Sequence, residues 1–345
     1  WQQFTAMMFA QLAGIASLRD IAQQFEGQAK RLYHLGLRSV KRSTLADANA
    51  ARPSEFFEAV FQKQYADVQR GTEEEIPVQE PTVIFDSSVI DLCLSMFPWA
   101  KFRRTKGGIK LHTLLDHNGY IPAFVHITPA KVADVNAARL LKLPAGSIIV
   151  MDRGYVDFTL FSQLHAKDLL FVTRMKKRMR YRVIERRATD RANGITSDQT
   201  IEFTGAKAKN CPIALRRVGY RDAETGKHYF FLTNAFELDA KTIADIYKER
   251  WQVDLFFKWI KQNLKIKSFL GTSKNAVMTQ IWIALITLLM IAYYKFMANL
   301  SLSFSQILKL VRLNLFLRKP LSDLFHPEIC TETVSIGTQL SFNFQ

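Results

Sequence analysis

The chain has 345 residues, of which 48% are apolar, enough for the cores of two or three structural units. Lys and Arg outnumber Asp and Glu by 47 to 31, and the net charge of +16 indicates a polyanionic partner, either nucleic acid or an anionic membrane. The three cysteines, Cys93, Cys211 and Cys330, lack metal-ligand spacing, so we expect reduced thiols in a cytoplasmic protein. We find neither a Gly-rich phosphate loop nor a signal peptide.

The first 80 residues predict a helical domain that ends in a linker. Apolar side chains recur at helical spacing within residues 18–25. Residues 16–50 are compatible with a DNA-reading helix-turn-helix, but a domain that only packs explains the pattern equally well. Pro and Glu are frequent in residues 71–81, which indicates the linker. Because the sequence begins with Trp1 rather than Met, we expect the natural N-terminus to be longer.

The next segment predicts strands alternating with helices. Strands are expected at 82–85, 109–115, 120–127, 147–151 and 169–173, and helices at 134–143 and 158–167. The tetrapeptide Asp116-His117-Asn118-Gly119 is a strong hairpin signal. The first helix is expected to be a crossover that lays the strand ending in Asp152 parallel to the strand ending in Asp86. This order fits an α/β fold, with a mixed sheet covered by helices.

Residues 176–234 are predicted to form a β-rich insertion with a cationic edge. Eight of the fourteen residues from Arg174 to Arg187 are basic, among them Arg174, Lys176, Lys177 and Arg178. A basic run is often only a solvated face, but this density favours phosphate contact. Further strands are expected at 199–203, 213–220 and 229–233.

A helix predicted from Tyr247 to Lys265 is apolar on most sides and carries one ionisable stripe. At about 100° per residue, the stripe spans roughly 80°. It consists of Tyr247, Arg250, Asp254, Lys258 and Lys261. We expect this helix to be largely buried, so that its charges need partners, a metal or a polar ligand. The uncharged run 277–294 reaches the lower limit of a membrane span, yet its polar residues favour a buried core helix.

Three carboxylates form the predicted site. Asp86 and Asp152 are expected at the C-terminal ends of neighbouring parallel strands, where ligands bind, and Asp254 comes from the helix stripe. Three hard oxygen ligands suit Mg²⁺, and two ions about 3.5–4 Å apart promote phosphodiester displacement. Each Asp alone also suits a turn or cap, and Arg250 with Asp254 also suits an ion-pair ladder within the helix.

The chain resembles bacterial DDE transposases of the insertion sequence 4 family. That family carries Tyr, two residues, Arg, three residues, Glu, six residues and Lys on one helix. Tyr247, Arg250 and Lys261 match this spacing, with Asp254 in the place of Glu. Two segments resemble the first and second acidic motifs of the family, namely Ile84-Phe85-Asp86-Ser87-Ser88 and Met151-Asp152-Arg153-Gly154-Tyr155. The segment Gly107-Gly108-Ile109-Lys110-Leu111-His112 is typical of the hairpin that lies between these motifs.

The resemblance implies an RNase H-like core with a mixed five-stranded sheet. The expected division has an N-terminal helical DNA-binding domain at 1–80, core segments at 81–175 and 235–300, the insertion at 176–234 and a helical tail at 301–345. It also implies that Asp86, Asp152 and Asp254 bind two Mg²⁺ ions, for which Mn²⁺ is expected to substitute. The residues expected to contact DNA are Tyr247, Arg250, Lys258, Lys261, Lys110, Arg174, Lys176, Lys177 and Arg178.

The implied activity is cut-and-paste transposition of an insertion sequence. The expected partners are double-stranded terminal inverted repeats, target DNA and a second copy of the chain in the DNA-bound complex, with no membrane. The expected location is the bacterial cytoplasm, at the nucleoid. The alternatives are a catalytically impaired DNA-binding relic or transposition inhibitor, an RNase H-like nuclease without strand transfer, and a membrane-associated protein.

Two departures from the family pattern bear on activity. Asp254 is one methylene shorter than the Glu that it replaces. Well-studied relatives also place a Trp in the insertion against a flipped base, and no Trp occurs between Trp99 and Trp251 here. Tyr220, Tyr229 or Phe230 are the candidates to stack instead.

Overall fold

A mixed sheet of nine strands organises the residues that the computed structural model describes, namely 1–33, 36–72, 81–116, 121–317 and 321–325. Its strand order is β3-β2-β1-β4-β5-β9-β8-β7-β6. The strands are β1 (Thr82–Leu92), β2 (Gly107–Asp116), β3 (Pro122–Pro129), β4 (Ile148–Met151), β5 (Leu170–Arg174), β6 (Tyr181–Arg186), β7 (Ile195–Phe203), β8 (Leu215–Arg221) and β9 (His228–Thr233). The predicted turn at 117–119, most of the predicted linker and residues 326–345 lie outside the described residues.

The described helices pack against this sheet or against one another. They are α1 (Gln2–Ala13), α2 (Leu18–Gly27), α3 (Ala29–Leu32), α4 (Arg42–Ala51), α5 (Ser54–Thr72), α6 (Asp134–Ala138), α7 (Phe158–His165), α8 (Ala240–Lys248), α9 (Trp251–Asn263), α10 (Lys274–Met297), α11 (Phe304–Asn314) and α12 (Leu321–Phe325).

The parallel centre of the sheet follows from a short run of buried β-branched residues. All four residues of β4 are buried, as expected for a strand covered on both faces. It runs parallel to β1, which confirms the predicted parallel pairing, and it also runs parallel to β5 on its other side. β2 and β3 pair antiparallel, as predicted for the two strands on either side of the hairpin signal, and β1 also pairs antiparallel with β2.

The first strand is longer than predicted. We expected it to end at Phe85, but β1 continues to Leu92 because residues 83–92 pair with β2 over its whole length. Asp86 therefore lies inside a strand and not at its end. The predicted helix 134–143 is also shorter, since α6 ends at Ala138.

The insertion continues the sheet of the core. β9 pairs antiparallel with β5, and β8, β7 and β6 follow in order. A buried ion pair fixes its interior: Arg216 donates to both carboxylate oxygens of Asp198, at 2.9 and 2.7 Å. The same guanidinium donates to the carbonyl groups of Ala235, Phe236 and Leu238, which ties the chain after β9 to the insertion.

The helix α10 forms the centre of the helical layer. Its N-terminus is capped by Ser273, which accepts from the amide of Ala276 at 3.1 Å. Among the described residues, α10 is the one helix long and apolar enough to cross a membrane, and it is almost entirely buried within the protein. The prediction of a buried core helix is therefore confirmed. One continuous apolar core joins α10 to α1, α4 and α5, and the proposed boundary of an N-terminal domain stays a prediction.

The predicted helix from Tyr247 to Lys265 is divided in two and is not buried all round. A turn at residues 249–250 separates α8 from α9. Here the amides of Arg250, Gln252 and Val253 bond to carbonyl groups three residues back, which breaks the α-helical pattern. α9 buries Val253, Phe256, Phe257 and Ile260, while Trp251 and Leu255 are exposed. The apolar pattern predicted deep burial, but only one face of α9 meets the sheet and α10.

Candidate active site

Two carboxylates come together where β1 and β4 separate. β4 pairs with the start of β1, and Phe85 lies opposite Met151. Asp86 and Asp152 each follow these last paired residues. β4 ends at this point, whereas β1 continues alongside β2. The carboxyl edge of a parallel pair is a usual place for ligand binding in α/β sheets.

Asp86 is a buried carboxylate that accepts hydrogen bonds at both of its oxygens. Its Oδ1 accepts from the amide of Ser87 at 2.7 Å, and its Oδ2 accepts from Nη1 of Arg250 at 2.9 Å. Its side chain is 16% exposed. Burial raises the pKa of Asp86 to about 7, although the Ser87 amide and Arg250 oppose this rise. The negative charges of Asp152 and Asp254 raise this pKa further.

Asp152 is held by a tight turn at Gly154. Its Oδ1 accepts from the amide of Gly154 at 2.6 Å and caps a short 3-10 turn, Arg153–Tyr155. A β-carbon at position 154 would lie 2.7 Å from this same oxygen, so a larger residue would displace the carboxylate. Thr173 on β5 donates to the carbonyl oxygen of Asp152 at 3.0 Å and fixes its backbone.

Arg250 connects the helix to the strand carboxylates. Besides Asp86, its guanidinium contacts Asp254, with Nη2 donating to Oδ2 at 3.1 Å. The carboxyl group of Asp254 therefore lies on the same side of the sheet as that of Asp86, one guanidinium away, and it is 62% exposed. Burial lowers the pKa of Arg250, but Tyr247, Asp86 and Asp254 together outweigh this effect and raise it.

The donor types at this site fit a hard divalent cation, since all three candidate ligands are carboxylates. Within the described part of the chain, no three acidic, His or Cys side chains lie close enough together to hold a metal. The reason is visible in the hydrogen bonds: Arg250 lies between Asp86 and Asp254. Asp254 must exchange its contact with Arg250 before it can join Asp86 at a shared ion.

Three other predicted residues surround this cluster. Tyr247 packs on Phe231, with ring centroids 4.8 Å apart, and burial raises its pKa, whereas the charges of Arg250 and Arg174 lower it. Arg174 lies over the ring of Tyr229 at 4.8 Å. Lys261 donates to Oγ of Ser88 at 2.6 Å and to the carbonyl oxygen of Val89 at 2.9 Å.

The remaining predicted DNA contacts do not join this cluster. Lys110 forms an ion pair with Asp134 at 3.0 Å and donates to the carbonyl oxygen of Val132. Lys176 donates to the carbonyl oxygen of Val156 at 3.2 Å. Lys258 is exposed on α9, and Lys177 and Arg178 are exposed in the segment between β5 and β6. All of these DNA-contact roles stay predictions.

Sequence reasoning missed a polar cluster beside the site. Ser87 donates to Oδ1 of Asp134 at 2.7 Å, and the buried ring of His112 lies 3.7 Å from the same oxygen. Burial lowers the pKa of His112 to about 4, which favours the neutral ring. Only the alternation of side chains along β1 and β2 could have placed Ser87 and His112 on one face. The contact with Asp134 depends on how α6 returns to the sheet.

Comparison with known protein families gives one family for the larger part of the chain. Residues 77–290 match the family described as transposase DDE domain. Residues 1–38 match a family described as a domain of unknown function (DUF4372).

Individual relatives carry related names. A putative transposase, y4zB, of Sinorhizobium fredii is 34% identical over 246 residues, which cover 70% of this chain and 68% of that protein. A probable transposase for insertion sequence element IS5377 of Geobacillus stearothermophilus is 28% identical over 276 residues, covering 78% and 72%. The piggyBac transposase synaptic complex with hairpin DNA has a TM-score of 0.48 and 11% identity, covering 96% of this chain and 72% of that chain.

Proposed function

Because the chain belongs to the DDE transposase family, we propose that it carries out cut-and-paste transposition of an insertion sequence. The proposed steps are hydrolysis and strand transfer at terminal inverted repeats. The observation that supports this most directly is the arrangement of three acids. The register of β1 and β4 brings Asp86 beside Asp152, and Arg250 links Asp86 to Asp254. Within the family, the spacing from Tyr247 to Lys261 favours the insertion sequence 4 group.

We assign the three carboxylates Asp86, Asp152 and Asp254 as the ligands of Mg²⁺, with Mn²⁺ as a substitute. When bound, the ions would supply Lewis acidity for the attack of water or of a 3′-hydroxyl on the scissile phosphate. The role of the chain is to hold these carboxylates in position. The amide of Gly154 orients the carboxylate of Asp152, and the amide of Ser87 orients that of Asp86.

Arg250 and Lys261, at opposite ends of α9, would each contact a DNA phosphate. Arg250 exchanges Asp254 for a DNA phosphate, which releases the third carboxylate at the moment the substrate arrives. Lys261 uses two of its three donors to hold α9 against β1 and keeps one for a phosphate. Tyr247 at the end of α8 and Arg174 at the end of β5 would extend this contact towards the insertion. Lys258, exposed on α9, would add a further phosphate contact.

A strand-nicking assay tests this function. The substrate is an end-labelled duplex carrying the terminal inverted repeat of the element that encodes the chain, incubated with the purified protein and Mg²⁺. We expect a nick at the end of the element, which Asp86→Asn or Asp152→Asn reduces below detection. Asp245→Asn is the matched control, because Asp245 is an exposed carboxylate on α8 outside the site. Nicking by Asp86→Asn at the unsubstituted rate would contradict the assignment.

Two further measurements separate the alternatives. A simple RNase H-like nuclease would nick but would not join pre-cut 3′-hydroxyl ends to a target duplex, whereas a transposase would join them. A DNA-binding relic would retain affinity for the inverted repeat and would not nick at any metal concentration. The contact between Arg250 and Asp254, which occupies the third carboxylate, is the observation that favours the DNA-binding relic. We further propose a dimer on DNA, which the mass of the complex would reveal.

A further inference from the structure

A second polar cluster lies directly behind the candidate active site, on the opposite face of β1. We call it the Asp134 cluster, and it consists of Ser87, Lys110, His112 and Asp134. Asp86 and Ser87 are consecutive in β1, so their side chains point to opposite faces of the sheet. Asp86 meets Arg250 beside α9, and Ser87 meets Asp134 at the start of α6.

The cluster converges on one carboxylate oxygen. Oδ1 of Asp134 accepts from Oγ of Ser87 at 2.7 Å, and Nζ of Lys110 lies 3.0 Å away. Lys110 also donates to the carbonyl oxygen of Val132 at 2.9 Å, so that its ammonium group is fixed between two acceptors. Lys110 is only 12% exposed, and His112 behind it is fully buried. Asp134 itself is 34% exposed, so the pair is only partly enclosed, and its position is fixed by the several contacts that meet at one oxygen.

This arrangement reaches Asp86 through a single peptide group. The amide of Ser87 donates to Oδ1 of Asp86 at 2.7 Å, while the hydroxyl of the same residue is held by Asp134. Fixing the Ser87 side chain restricts the rotation of its backbone and therefore the direction of its N–H. The direction of that N–H in turn sets the orientation of the Asp86 carboxylate.

We propose that Asp134 is a positioning residue for Asp86 and acts through Ser87. The proposal rests on the function proposed above, because it concerns the metal-binding competence of Asp86. In metal sites, partners that orient a ligand typically change affinity about 10- to 100-fold when they are replaced. We therefore expect Asp134→Asn and Ser87→Ala each to weaken Mn²⁺ binding by about that factor. Ser87→Thr, which keeps the hydroxyl, is expected to bind Mn²⁺ almost as well as the unsubstituted chain.

The test is a direct Mn²⁺ titration of the full chain, in which the electron paramagnetic resonance signal of the free ion measures how much Mn²⁺ is bound. A double-mutant cycle with Ser87→Ala and Asp134→Asn gives the decisive result. If both residues act along one route, the double variant binds no more weakly than the weaker single variant. The proposal would be overturned if the loss of Mn²⁺ affinity in the double variant equalled the product of the two single losses. It would also be overturned if Ser87→Ala and Ser87→Thr bound Mn²⁺ equally well. If Asp134→Asn fails to fold, judged by its thermal melt, the Ala and Thr variants of Ser87 decide alone.

The same titration separates this inference from the proposed function. Asp86→Asn is expected to abolish the tight Mn²⁺ site, and Asp245→Asn is expected to leave it unchanged. If Asp86→Asn has no effect, the assigned metal site itself is wrong. If Asp86→Asn abolishes binding but Asp134→Asn and Ser87→Ala do not weaken it, only the positioning role is wrong.

Discussion

The carboxylate of Asp86 should destabilise the folded protein at neutral and higher pH, and this can be measured. Burial raises its pKa from 3.8 to about 7, because the folded state solvates the charged form poorly. The folded protein therefore retains a proton on Asp86 in a range where the unfolded chain has released it. Stability falls as the pH rises from about 4 to about 7 and is level above that range.

The magnitude follows from the two pKa values. The interval between 3.8 and about 7 corresponds to about 4 kcal/mol, at 1.36 kcal/mol per pKa unit. Asp86→Asn removes the charge and keeps an oxygen that accepts from Arg250. We expect this variant to be more stable than the unsubstituted chain by about 4 kcal/mol at pH 8 and by about 2 kcal/mol at pH 5. The difference should fall below about 1 kcal/mol near pH 4 and vanish below about pH 3.

Urea unfolding in EDTA at several pH values measures this difference without divalent ions. Asp245→Asn, an exposed carboxylate paired with Lys241, is the control and should change stability by less than about 1 kcal/mol at every pH. A variant Asp86→Asn that is destabilised at pH 8, or equally stabilised at pH 5 and pH 8, would refute the reasoning. A stabilised but inactive variant would be the expected signature of a functional carboxylate held in an unfavourable setting.

Three other predictions concern the insertion, the Asp152 turn and the third acid. Asp198→Ala leaves the buried guanidinium of Arg216 without its carboxylate and should cost about 3–5 kcal/mol in urea unfolding, whereas a loss under about 1 kcal/mol would contradict the burial of this pair. Gly154→Ala places a β-carbon 2.7 Å from the Asp152 carboxylate, so we expect weaker Mn²⁺ binding in titrations, and unchanged affinity would show that the turn relaxes. Asp254→Glu adds the methylene that the family pattern has and should raise the nicking rate with Mg²⁺; an unchanged or lower rate would count against it.

The central strands could be predicted because their signals are local. The buried run of β4 and the apolar strand before Asp86 are short, β-rich and bounded by polar residues. The length of β1 could not be predicted in the same way. Three polar residues, Asp86, Ser87 and Ser88, interrupt its apolar pattern, and the strand continues through them because β2 provides a partner along its whole length. Strand length is a property of the pair of strands, and a single segment does not contain it.

The helix of the site shows the limit of periodicity. The pattern predicted an apolar helix buried on most sides, and the structure leaves Trp251 and Leu255 exposed. Periodicity gives the angle at which a side chain leaves the helix axis, but it does not tell which neighbours are present at that angle. The sequence also gives no signal for the break between α8 and α9 at residues 249–250, because this segment contains neither Pro nor Gly.

The sequence alone determined the chemistry that is available: a strongly basic chain, three acids in a recognisable order and the spacing of Tyr247, Arg250 and Lys261. Only the tertiary structure decided which groups meet. It placed Arg250 between Asp86 and Asp254, took Lys110 to the opposite face, and brought Asp134 behind Ser87. The physical reason is that composition and spacing act along the chain, whereas hydrogen bonds and desolvation depend on distances between segments that only the packed fold brings together.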